Sequence, residues 1–208
     1  MGFLTSLFSQ KTKTFFKKFR KFNALSNIDR QMLEYLNYSN GYFIECGAND
    51  GVDQSNTWYY EKHLNWSGIL VEPLKNQYIE LVKNRSDKNN FYNFALTEND
   101  KIDSLSFNNT NLTSRVILEN DDNELNVPST TLKNILVKSK APNLIDFFSL
   151  DVEGYEEQVI KGNDFNIYNF KYFLVETSND HVIKMIKDKN YILIKKLSHH
   201  DFLFKYNH

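Results

Sequence analysis

The chain has 208 residues, 41% of them hydrophobic and 25% charged, with a formal net charge of −1; this excludes a disordered or fibrous chain and gives no whole-chain reason to expect a nucleic-acid partner. A chain of this length buries a good core and is expected to form one domain with at most a small appendage. The single cysteine, Cys46, excludes an intrachain disulfide and any CxxC metal site.

No apolar run approaches the ~18 residues that cross a bilayer. The opening "MGFLTSLFSQ" puts its apolar part before the charges, the reverse of a secretory signal, so a cytoplasmic location is expected. Residues 1–28 carry no Asp or Glu but hold Lys11, Lys13, Lys17, Lys18, Arg20 and Lys21. Leu4, Phe8, Phe15, Phe19 and Phe22 recur as one helical stripe would. Residues 1–28 are therefore read as a basic amphipathic segment appended to a domain spanning 29–208. Its expected fate is packing against that domain with its lysines in water. The alternative is peripheral contact with an anionic membrane, and "MGFLTS" also fits the short myristoylation pattern.

Beyond residue 29 strands and helices alternate. "YFIEC" (42–46) reads as a buried strand and "SNTWYYEKHL" (55–64) as a helix with Ser or Asn capping chemistry. "SGILVEP" (67–73) is a strand stopped by Pro73, and "LKNQYIELVKNR" (74–85) a helix. "NFYNFAL" (90–96) reads as a third strand and "DSLSF" (103–107) as a short fourth, followed by a helix at "STTLKNILVKS" (129–139). "IDFFSLDVEG" (145–154) is a strand, "YEEQVIKG" (155–162) a helix, "FKYFLVET" (170–177) a strand and "DHVIKMIKDKN" (180–190) a helix. "YILIKKL" and "DFLFKYN" then form a hairpin across "SHH". This order implies an α/β fold, a mostly parallel sheet covered on both faces, with one antiparallel strand in the terminal hairpin. The polar stretch 97–126 reads as a long irregular insertion of the kind that often carries function.

In such sheets ligands sit beyond the carboxyl ends of the strands. Glu45-x-Gly47-x-x-x-Gly51 lies where the first strand turns into the first helix. Glycine there admits a ligand close to the backbone, and the following helix start offers free N–H groups. A dinucleotide site would show GxGxxG, but Ala48, Asn49 and Asp50 stand between the glycines, and an acidic turn repels phosphate. Glu72 ends the second strand, where Rossmann-like sites place the acid that takes a ribose diol. An adenosine-type ligand with positive charge and no phosphate is inferred, and S-adenosylmethionine fits.

The residues "FIECGANDGVDQSNTWYYEKHLNWSGILVEP" (43–73), "NFAL" (93–96), "VPSTTL" (127–132) and "IDFFSLDVEGYEEQVIKG" (145–162) resemble the FkbM-type S-adenosylmethionine-dependent methyltransferases in matching order. The resemblance implies a class I methyltransferase fold, Rossmann-like, with a seven-stranded sheet and a C-terminal antiparallel hairpin. It implies methyl transfer to a hydroxyl of a sugar, glycan or other polyhydroxylated small molecule. The chain departs from the family in "SLDVEG", where many members carry Lys before the Asp, and in its basic N-terminus.

Carried over by motif, Glu45, Gly47, Ala48, Asn49 and Gly51 would wrap the methionine part, Glu72 with Pro73 would hold the ribose, and Asn93, Phe94 and Ala95 the adenine. Ser55, Asn56 and Thr57 either reach the same cleft or only cap the helix. Asp151 and Glu153 would face the transferred methyl, with Asp151 the first candidate for the base an alcohol acceptor needs and Glu153 the second. Glu176 and His181 would complete the site. Ser114 and Arg115 would meet the acceptor from the polar loop. Asp151 with Glu153 could instead hold Mg²⁺, but metal-free chemistry is the expectation. Cys46 reads as an inert small hydrophobe. Two other readings stay open: a non-catalytic binding module working through its basic N-terminus, and an NAD-type oxidoreductase, against which the missing middle glycine argues.

Overall fold

Continuous apolar runs are what strands buried on both faces require, and the runs in this chain become the centre of one sheet. The computed structural model describes residues 17–108, 116–117 and 124–207. The strands are β1 (Tyr42–Cys46), β2 (Ser67–Val71), β3 (Asn90–Tyr92), β4 (Ala95–Thr97), β5 (Ser104–Asn108), β6 (Val116–Ile117), β7 (Glu124–Thr131), β8 (Leu144–Leu150), β9 (Asn169–Glu176), β10 (Tyr191–Lys196) and β11 (Asp201–Tyr206). The helices are α1 (Ile28–Gln31), α2 (Leu33–Leu36), α3 (Trp58–Leu64), α4 (Lys75–Asn84), α5 (Leu132–Lys138), α6 (Glu156–Lys161) and α7 (Asp180–Lys187).

The main sheet has seven strands in the order β3-β2-β1-β8-β9-β11-β10. Pairings from β3 through β9 are parallel, and β11 runs antiparallel to both β9 and β10. This is the α/β sheet with a C-terminal antiparallel hairpin that the sequence predicts. Strand order reverses between β1 and β8, the place where such folds open a ligand crevice.

Two cores lie on opposite faces, because successive side chains of a strand alternate. Ile44, Val71, Phe148 and Phe173 face α5, α6 and α7 through Leu132, Ile135, Val159 and Val182. Phe43, Leu70, Phe147 and Leu174 face the other way, onto Ile28, Leu36, Tyr60 and Leu81. Each such side chain contributes about 1.5–3 kcal/mol of burial.

Three expectations are corrected. "NFYNFAL" is not one strand: β3 stops at Tyr92, and β4 leaves the main sheet to pair in parallel with β7. Asn93 makes the break, because its Nδ2 donates to the carbonyls of Glu72 (2.9 Å) and Pro73 (2.8 Å). The stretch 97–126 is not irregular throughout, since β5 pairs antiparallel with both β6 and β7 in a second, four-stranded sheet. The helix expected from residue 129 starts at Leu132, after β7 and the Thr131 side-chain cap.

Leu4, Phe8, Phe15, Lys11, Lys13, the myristoylation pattern, Ser114 and Arg115 lie outside the described residues. At the near end of the basic segment, Phe22 stacks on Tyr59 with centroids 4.7 Å apart, and the Lys17 ammonium meets the Asp53 carboxylate. Phe19 is 77% exposed. Among the described residues no helix is long and apolar enough to cross a membrane.

Candidate active site

Alternation along β1 decides where Glu45 points. It shares a face with Phe43, toward α3 and α4, and is buried. Its Oε2 accepts from Ser55 Oγ at 2.9 Å and from Thr57 Oγ1 at 2.5 Å, and its Oε1 accepts the Asn56 backbone N–H at 2.7 Å. Both oxygens thus serve the turn before α3. Ser55 Oγ in turn accepts the N–H groups of Thr57 and Trp58, capping that helix. Arg85, just past α4, brings Nη1 to 3.5 Å from Glu45 Oε2.

The glycines serve packing first. Gly47 has φ +82, and a Cβ there would stand 1.8 Å from the Asp151 carbonyl oxygen. The ends of β1 and β8 close on each other here, with the Asp151 N–H donating to the Cys46 carbonyl at 3.1 Å. Gly51, φ +79, leaves room for the side chains of Leu81 and Arg85. Between them Asn49 adopts φ +48, and its N–H donates to Glu72 Oε2 at 2.8 Å.

Glu72 receives a second backbone N–H, from Leu74 to Oε1 at 2.9 Å. Each oxygen keeps a lone pair for a further donor. Burial pushes its carboxyl up to about 7 despite those two bonds, with Asp50 adding to the rise.

A polar chamber of about 90 Å³ opens beyond β1 and β8, lined by Glu45, Gly47, Ala48, Asn49, Ser55, Asn56, Glu72, Asp151 and Glu153. Asp53, Gln54 and Ser149 join them, which the sequence reading missed. Asn56 donates through Nδ2 to Ser149 Oγ at 3.0 Å, while its Oδ1 is buried with no hydrogen-bond partner. An apolar chamber of about 60 Å³ adjoins it, sharing Cys46, Gly47 and Glu72. Pro73, Phe94 and Ala95 line it, with Leu105 and Phe107 of β5 and Tyr155 beside α6. Cys46 is buried, and burial raises its thiol well above the usual range, so it stays protonated.

The floor continues into an open cavity of about 470 Å³ lined by Asp151, Glu153, Glu156, Glu176, Thr177, Ser178, Asn179 and His200. Poor access to water, then the carboxylates of Glu176 and Glu153, push the Asp151 carboxyl well above the usual range. Burial and Asp201, its cross-strand partner, raise Glu176. Glu153 holds φ +52, a left-handed conformation uncommon outside glycine.

Four candidates stand apart. Thr57 and Gly51 line none of these cavities. His181 lies on α7 with its side chain 58% exposed and its Nε2 3.8 Å from Glu157. The histidine the structure brings to the cleft is His200, on the β10–β11 turn, whose carbonyl accepts the Thr177 N–H at 2.9 Å. Asn93 braces the ends of β2 and β3 rather than lining either inner chamber. Among the described residues no group of three or more His, Cys, Asp or Glu side chains is arranged to hold a metal ion.

Among solved structures the chain is similar to a methyltransferase FkbM from Methylobacillus flagellatus KT, at 13% identity and TM-score 0.49, covering 83% of this chain and 45% of that one. It is also similar to a precorrin-6y C5,15-methyltransferase from Geobacter metallireducens GS-15, at 8% identity and TM-score 0.47, covering 86% and 85%. A methyltransferase from Pyrococcus furiosus is similar at 12% identity and TM-score 0.45, covering 85% and 80%. No curated protein matches the chain. The family model described as the methyltransferase FkbM domain matches residues 45–202, from β1 into β11 and so across the whole cleft. The chain therefore belongs to the FkbM family of S-adenosylmethionine-dependent methyltransferases.

Proposed function

We propose that the chain is an O-methyltransferase acting on a hydroxyl of a sugar, glycan or other polyhydroxylated small molecule. The observation that carries this reading is the open cavity beside Asp151. Its walls are carboxylates, hydroxyls, an amide and His200, with no apolar ring among them. Such walls accept and donate hydrogen bonds to several hydroxyls at once, whereas a flat aromatic acceptor would call for stacking surfaces and nucleic acid for a basic groove.

The inner chambers fit the cofactor. Asn56 Oδ1, buried and without a partner, matches the ammonium of a methionine moiety. The spare lone pairs of Glu72 match a ribose diol, and the slot between Phe94 and Phe107 matches a flat purine. When bound, S-adenosylmethionine supplies a methyl group already activated for displacement. Asp151, at the seam between the inner chamber and the open cavity, takes the proton of the acceptor hydroxyl as its oxygen bonds to the methyl carbon. A positioned base of this kind contributes about 10²–10⁴-fold. Burial, with Glu176 and Glu153 beside it, raises the proton affinity of the Asp151 carboxyl.

The test incubates the chain with methyl-labelled cofactor and a panel of nucleotide sugars, free glycans, peptides and RNA. Label is expected in a sugar hydroxyl, and Asp151→Asn is expected to remove most turnover with little loss of cofactor binding. Label in peptide or RNA, and in no sugar, overturns the reading.

A further inference from the structure

We infer that Arg85 is the positioning residue of the cleft: its buried guanidinium holds the 51–57 turn in the shape that presents Asn56 to the cofactor. The inference rests on the reading of the polar chamber as the cofactor site. Arg85 follows the last residue of α4, and its side chain is 0% exposed. Its fork is used on every side. Nε donates to Glu61 Oε2 at 2.7 Å, Nη1 to the Gly51 carbonyl at 3.1 Å and Ser55 Oγ at 3.2 Å, and Nη2 to Thr57 Oγ1 at 3.0 Å.

One planar cation thus grips the turn at its beginning, middle and end. A guanidinium fixes geometry in a way a point charge does not, because its donors leave in set directions. Removed from water, it is held only by partners that meet those directions. The far side is anchored in the sheet. Glu61 also accepts from Asn89 Nδ2 at 2.6 Å, and Asn89 Oδ1 accepts the Gly68 N–H of β2 at 2.9 Å. The route runs from β2 through Asn89, Glu61 and Arg85 to the turn, and ends on Asn56, whose N–H is pinned by Glu45. Arg85 lines neither inner chamber, so any effect on the ligand passes through the turn.

Two variants test this. Arg85→Lys keeps a positive charge beside Glu45 and Glu61 but loses the fork. Thr57→Val removes the turn's acceptor for Nη2, together with the hydroxyl that donates to Glu45, at a residue that touches no cavity. Both are expected to unfold cooperatively. In hydrogen exchange their amides at 52–58 should exchange faster while those of β1 and β8 stay protected. By calorimetry the S-adenosylhomocysteine Kd should rise roughly tenfold for Arg85→Lys, the effect of one charged hydrogen bond, and less for Thr57→Val. Unchanged affinity in folded variants, or faster exchange spread evenly over turn and sheet, overturns the inference. Should Arg85→Lys fail to fold, Thr57→Val decides by the same two readouts. No binding to the unaltered chain overturns the cofactor reading and the inference with it; binding that both variants share in full overturns the inference alone.

Discussion

At Glu72 one carboxylate would, under the proposed function, link stability to binding. Its carboxyl lies near 7 in the folded chain against an ordinary 4.5, because burial outweighs its two backbone bonds. The folded protein therefore holds an extra proton between those values. The favourable contribution is full below about pH 4.5 and is lost as pH rises through 7, amounting to about 3 kcal/mol. Asp151 and Glu156 are raised too and act in the same direction, so the difference between the chain and Glu72→Gln isolates this one group. The variant is expected to gain stability relative to the unaltered chain from pH 5 to pH 8 in thermal melts; a parallel pair of curves would refute the assignment. Ribose hydroxyls donate best to the ionised form, so S-adenosylhomocysteine affinity should strengthen over the same window in the unaltered chain and stay flat in the variant.

Among the elements, the closing of β1 onto β8 depends on Gly47. Alanine there would combine a left-handed φ with a Cβ driven into the Asp151 carbonyl oxygen, and neither backbone can yield without parting the strands. The expected cost is about 3 kcal/mol or more in denaturant unfolding, and a loss below about 1 kcal/mol would show that the strand ends relax freely. The central strands were legible in the sequence because a strand buried on both faces must be a continuous apolar run, as "YFIEC" and "IDFFSL" are. The second sheet was not. β7 changes partner along its length, pairing with β5 up to Pro128 and with β4 from Ser129, so a proline that argues against a strand sits at the switch between two partners. Glu72 and Asp151 could be placed because the ends of strands set them. Glu45 lines the same chamber, but its bonds to Ser55 and Thr57 follow from the face it shares with Phe43, which its rank along β1 does not show. Arg85 and His200 carry no local signal at all, as their partners come from other elements.

Across the whole molecule the two sheets divide the labour unequally. The main sheet is held by large cores on both faces. The second is held by a small cluster of Ala95, Phe107 and Val127, with Leu74 and Leu105 packed on it. Yet Leu105 and Phe107 wall the apolar chamber, the slot that the proposed function gives to the purine. If the purine sits there, entry and exit are expected to go with a lifting of the weaker sheet, an opening that costs little because few apolar contacts oppose it. On that reading the lifting of the second sheet sets how fast cofactor comes and goes, more than how tightly it binds. Phe107→Ala should speed S-adenosylhomocysteine association and dissociation together in stopped-flow, with a much smaller change in their ratio. Rates that stay fixed while the ratio falls would mean that Phe107 holds the ligand and gates nothing. A product that leaves only when the roof lifts would leave turnover paced by that motion, whatever speed the chemistry at Asp151 allows.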